Sequence, residues 1–194
     1  HGPPDCAVDI RCDEAQRGKT FAKTSSAPRW KLRSGINSSK KSKQKTPRHT
    51  TKTMDFLAHL SPQGSEVYEM VSRKVKIVEN APICRVHDIF GWYQNTSRTL
   101  TLCTDRILSK ENARYYINET LFHEAAHVAQ ACRHAMREIA PFGMSPAMRL
   151  ASNREKDLAR SVKMSGKNIA AIEREAYWLE DKPGAVKHVL IKYC

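Results

Sequence analysis

Residues 121–132 read Leu-Phe-His-Glu-Ala-Ala-His-Val-Ala-Gln-Ala-Cys, and the rest of the chain takes its meaning from them. His123 and His127 stand four apart, which on an α-helix stacks them on one face, so that both imidazoles reach a single metal ion. Leu121, Phe122, Ala125, Val128, Ala129 and Cys132 take one side of such a helix, and His123, His127 and Gln130 take the other. A helix with its back in a core and its histidines toward a cleft is what an active-site helix requires. Glu124 lies about 100° round from His123 and need not bind the metal. The pattern H-E-x-x-H gives it the part of general base, taking a proton from the water that Zn²⁺ activates.

A catalytic zinc needs a third protein ligand and an open fourth position. The metzincin solution, H-E-x-x-H-x-x-G-x-x-H, is excluded because Gln130 and Arg133 stand at its glycine and third histidine. Met144 is then core filler. The other solution is a glutamate from a later helix. Residues 168–180 (Asn-Ile-Ala-Ala-Ile-Glu-Arg-Glu-Ala-Tyr-Trp-Leu-Glu) form one, with Ile169, Ile172, Ala176 and Leu179 as its buried face. Glu173 and Glu175 flank that face about equally, so periodicity does not choose between them.

Taken together, residues 123–130 (HEAAHVAQ) and Glu173-Arg174-Glu175-Ala176 resemble the gluzincin metallopeptidases, whose second signature is E-x-x-A-[DN]. The likeness runs in short motifs over residues 91–180. It implies a small gluzincin-like (minigluzincin or zincin) domain that hydrolyses peptide bonds, with Zn²⁺ on His123, His127 and Glu173, Glu124 as general base, and Ala176 packed under the site. Tyr177 stands where the family has Asp or Asn, so the chain departs from the family at the residue that hydrogen-bonds a ligand histidine. Residues 99–102 (TLTL) are similar to the family's edge strand, along which an extended peptide adds by main-chain hydrogen bonds. His134, Tyr177, His188 and Tyr193 are the candidates for stabilising an oxyanion. The DNA-associated SprT/Spartan-type proteases offer a related reading, but the third histidine of their site is not evident.

Charge divides the chain. Of 194 residues, 33 are Lys or Arg and 20 are Asp or Glu, a net charge of +13. Between Lys19 and Lys52 there are eleven Lys or Arg and no acid, and Leu32 and Ile36 are the sole branched aliphatics. Such a stretch buries too little apolar surface to offset the entropy of ordering. Residues 1–53 are therefore expected to be a disordered basic tail and residues 54–194 the metallopeptidase domain. The tail is a solubilising arm, a dock for nucleic acid or another polyanion through residues 19–52, or the remnant of an organelle-targeting segment. Asp5, Asp9, Asp13 and Glu14 argue against a complete transit peptide. A chain that begins at His1 and not Met reads as processed or as a fragment. No apolar run is long enough for a membrane span.

Six cysteines form no metal-binding spacing and read as reduced thiols, favouring an intracellular reducing compartment. Cys84 and Cys103 are the one pair whose disulfide is worth checking, because they face each other if the flanking strands pair. Residues 65–79 carry helical periodicity, ended by Asn80-Ala81-Pro82. Residues 83–89 (ICRVHDI) alternate like a strand, 91–98 carry turn chemistry, and 99–102 form a second strand, together a β-hairpin. Helical patterns follow at 109–138 (broken near Asn118), 147–164 and 168–180, and Pro183-Gly184 closes the last. This order predicts an α+β fold. The competing reading is a structural or nucleic-acid-associated protein with a basic N-terminal arm and a non-catalytic or relic metal site. Deleting residues 1–53 would then abolish a steeply salt-dependent binding.

Overall fold

The computed structural model describes residues 55–194, so the expected basic tail, with Cys6 and Cys12, lies outside the described residues. The elements run α1 (Pro62–Ser72), β1 (Lys76–Glu79), α2 (Ile83–Val86), β2 (Gly91–Gln94), β3 (Thr99–Leu102), α3 (Thr104–Leu108), α4 (Ala113–Arg133), α5 (Ser152–Ser165), α6 (Ala170–Leu179) and α7 (Pro183–Tyr193). Short 3₁₀ turns precede α1, α5 and α6. The fold is mixed α+β, with one three-stranded sheet in the order β1-β3-β2.

Everything is built round α4, which packs against α1, α3, α6, α7 and β2. Ile117, Leu121, Ala125, Ala126, Val128, Ala129 and Ala131 are all fully buried. The alanines allow this, since a small side chain lets neighbouring helices approach on more than one side. Each larger aliphatic so buried contributes about 1.5–3 kcal/mol. The side expected to face a cleft is also enclosed, for Gln130 is 0% and His127 2% exposed.

The helical reading of residues 65–79 ends too late. Ser61 caps α1, its Oγ accepting from the Gly64 amide at 2.9 Å, with Pro62 at the first helical position. The helix stops at Ser72, and Lys76–Glu79 form β1, parallel to β3 in the register Lys76↔Thr99. Residues 75–77 alternate buried, exposed, buried as a strand does, and Val75 and Val78 keep helical spacing only by coincidence.

The expected first arm of the hairpin, residues 83–89, is instead the short helix α2 started by Pro82. The hairpin exists, but its arms are β2 and β3, antiparallel with Trp92 opposite Thr101. β3, expected as the edge strand, is the central one, and β1 and β2 are the edges.

No break occurs at Asn118. Its amide turns inward, Nδ2 donating to the His59 and Arg114 carbonyls while Oδ1 accepts from the Ser61 amide and hydroxyl, which pins α1 to α4. Pro183 does close α6, and it also opens α7, which went unread: proline suits the first helical turn as well as it ends the previous one.

The four described cysteines are paired, Cys84 with Cys103 and Cys132 with Cys194. This overturns their reading as reduced thiols, and with it the inference drawn from them, since structural disulfides belong to oxidising surroundings. Cys84–Cys103 is the pair singled out for checking, though Cys84 sits on α2 and not on a paired strand. Cys132–Cys194 ties the end of α4 to the residue after α7. Among the described residues no helix is long and apolar enough to cross a membrane.

Candidate metal centre

α4 brings His123 and His127 to the floor of a cleft of about 410 Å³, and α6 brings Glu173 against them. The two Nε2 atoms are 3.2 Å apart. Glu173 spans them, with Oε2 3.5 Å from His123 and Oε1 3.4 Å from His127. One donor atom from each residue fits within a sphere of contacts no wider than 4.8 Å. Two nitrogens and a carboxylate oxygen at such mutual distances are a donor set that can hold a metal ion.

The outer nitrogens settle which atoms point inward. Gln130 donates through Nε2 to the Ile172 carbonyl (3.1 Å) and to Glu175 (3.0 Å), so its Oε1, 2.9 Å from His127 Nδ1, is the acceptor. His123 Nδ1 donates to Glu180 Oε2 at 2.9 Å. Both rings therefore carry their proton on Nδ1 and present a lone pair from Nε2, the arrangement a metal-ligating histidine adopts. Two lone pairs facing each other at 3.2 Å repel unless a cation or a proton lies between them. The residues present fit a divalent ion.

Protons answer the same need when metal is absent. Burial resists charging His123, but its hydrogen bonds to the Glu173 and Glu180 carboxylates outweigh it and raise its pKa well above 6.5. For His127 burial is likewise outweighed, chiefly by the Glu173 charge, and its pKa also rises. Burial pushes Glu173 up, yet the two histidines hold it far below the usual carboxylate range. With raised histidine values, the stabilisation from this cluster is present below the unfolded pKa of 6.5 and lost as pH climbs through the folded values. A divalent ion entering the site would have to displace those protons. Its affinity is expected to fall with falling pH from a point above 6.5, the value for an unpaired imidazole, which metal titration across pH 5–8.5 measures.

Glu124 stands beside the imidazoles without joining them. It is 6% exposed, burial raises its pKa above the usual carboxylate range, and it accepts a hydrogen bond from the Tyr93 amide of β2. The strand can approach so closely because residue 91 is glycine: a Cβ there would lie 2.6 Å from Glu124 Oε1 and 2.6 Å from the Thr120 methyl. Gly91→Ala is expected to displace the Glu124 carboxylate while leaving the three donors in place. Any hydrolysis in which Glu124 is the base should then fall by about 10²-fold or more, the usual cost of misplacing a reacting group by 1 Å. Zinc content measured beside the rate checks this, and equal rates contradict it.

The structure separates the two acids that periodicity left tied. Glu173 turns to the histidines, as the resemblance implies. Glu175, fully buried, instead accepts from the backbone amides of Phe142, Gly143 and Met144 at 2.6–2.9 Å and from Gln130. It fixes the loop after α4 and supports His127 through Gln130. Of the four oxyanion candidates only Tyr177 lines the cleft. His188 is exposed, His134 pairs with Glu138 at 3.4 Å, and Tyr193 stacks on Phe142. Burial raises the Tyr177 pKa and keeps its phenol protonated.

Gln130, Glu180, Arg154 and Gly91 are functional candidates that the sequence reading gave no role. Glu180 had a usable signal, because seven residues after Glu173 is two helical turns on the same face.

Residues 56–194 match the family described as "Domain of unknown function (DUF8637)", and the chain belongs to it. Searches of curated proteins and of solved structures find no match.

Proposed function

We propose that the protein is a zinc-dependent endopeptidase of gluzincin-like type. The observation that carries this reading is the convergence of His123 Nε2, His127 Nε2 and the Glu173 carboxylate at the floor of an open cleft, with Glu124 beside them outside the donor set. A bound Zn²⁺ would supply Lewis acidity, polarising a scissile carbonyl and lowering the pKa of water.

The remaining work belongs to the chain. Glu124 takes a proton from the attacking water and hands it to the leaving amine, a task favoured by a carboxylate whose pKa burial has raised. β2, the edge strand that lines the cleft, offers backbone groups to an extended peptide. The Tyr177 phenol, protonated and in the cleft, is the donor best placed to reach a substrate oxygen. The substrate is accordingly a protein or peptide.

The test is hydrolysis of a denatured protein by the purified chain. We expect cleavage that a chelator stops and one equivalent of zinc restores. Cleavage indifferent to chelation would remove the reading. The basic segment 19–52 supports a second contact, with nucleic acid or another polyanion, whose affinity should fall steeply with salt and vanish on deleting residues 1–53. Were the site a metal staple only, that binding would remain and hydrolysis would be absent.

A further inference from the structure

We propose that Glu180, clamped by Arg154, is the positioning residue for His123. The proposal rests on the zinc reading above. α6 ends one residue before Glu180, so its carboxylate projects past the helix terminus toward α4 and α5. Its two oxygens are divided between two partners. Oε2 accepts the His123 Nδ1–H at 2.9 Å, and Oε1 accepts from Arg154 Nε at 2.7 Å.

Arg154, on α5, continues through Nη1 to Asp181 at 2.7 Å and through Nη2 to Glu119 at 3.1 Å. The Glu180 and Arg154 side chains are only 8% and 12% exposed. A carboxylate so buried is costly unless a cation matches it. Arg154 provides the match and, by holding one oxygen, fixes the plane in which the other meets the imidazole.

Tyr177 completes the support from the side. Its ring meets the His123 ring edge-on at 4.6 Å, and its hydroxyl is hydrogen-bonded to Ser161 of α5 at 3.0 Å. With an aromatic ring on one flank and a carboxylate behind it, His123 keeps its proton on Nδ1 and its lone pair toward Glu173.

A second ion pair makes the role separable from mere packing. Glu155 and Arg174 also join α5 to α6, at 2.6 Å, but touch neither histidine. The experiment compares wild type, Glu180→Ala, Glu180→Gln and Glu155→Gln in the full chain. Two readouts are taken: Zn²⁺ affinity by competition with a chromophoric chelator, and, by long-range ¹H–¹⁵N NMR at a pH high enough to leave the ring neutral, the His123 tautomer in metal-free protein. Glu180→Ala is expected to weaken zinc binding about 10–100-fold, as losing such a partner does elsewhere. It should also shift His123 away from the Nδ1–H form. Glu180→Gln, which keeps an acceptor oxygen, should lose less, and Glu155→Gln should change neither readout. Wild-type affinity and tautomer in Glu180→Ala, or equal losses in Glu180→Ala and Glu155→Gln, would overturn the proposal. A wild-type chain that binds no zinc overturns the peptidase reading instead, and the tautomer then still decides whether Glu180 orients the ring.

Discussion

Zinc-loaded Glu124→Gln is expected to hydrolyse peptide bonds about 10²–10⁴-fold more slowly than the wild type, the range over which positioned proton transfer contributes. Glutamine matches the shape of the carboxylate and keeps an oxygen for the Tyr93 amide, so the close packing against Gly91 and Thr120 should persist. What it cannot do is accept a proton. Because Glu124 lies outside the donor set, zinc should remain bound at the wild-type level. Parallel measurement of rate and metal content tests this, and an unchanged rate at full zinc occupancy removes Glu124 as the base.

The second large effect is a contrast between two acids on one helix. Glu173→Ala should lose zinc by more than the about 10–100-fold that an outer partner costs, because a ligand itself is gone. It should nonetheless leave the fold intact, since the histidines shed their protons when the carboxylate holding them is removed. Glu175→Ala should do the opposite. It strips the acceptor from the buried Phe142 amide and the buried Gln130 side chain, as well as from the amides of the exposed Gly143 and Met144. Groups left unsatisfied after burial cost about 1–3 kcal/mol each, so a loss of roughly 3 kcal/mol in stability is a modest expectation. Thermal unfolding without metal, set beside zinc titration, separates the two. Should Glu175→Ala unfold normally yet lose zinc while Glu173→Ala keeps it, the ligand assignment is reversed.

How far the sequence carried the argument can be followed residue by residue. The α4 pattern was legible because His123, Glu124 and His127 lie within one helical turn, where spacing alone fixes mutual geometry. The pairing of that helix with residues 170–179 was legible as a helix but not as a choice of ligand. Glu173 and Glu175 differ in what lies opposite them, and that is settled by tertiary packing. Strands were read less well. β1 was hidden because Val75 and Val78 extend the helical rhythm of α1 across the turn at Arg73 and Lys74. β2 was hidden because Gly91-Trp92-Tyr93-Gln94 combines a glycine with mixed polarity, and the glycine is there for Glu124 and not for a turn. Proline misled at both ends of the chain, beginning α2 at Pro82 and α7 at Pro183 where it was taken as a stop. Arg154 could not have been found by spacing, since its link to His123 passes through Glu180 on another helix.

The most direct measurement is the metal content and coordination of the wild-type chain after exposure to zinc and removal of excess. One zinc per chain is expected, with X-ray absorption showing two imidazole nitrogens and carboxylate oxygen and no sulfur. A chain that retains no zinc, or holds it through other donors, contradicts the account.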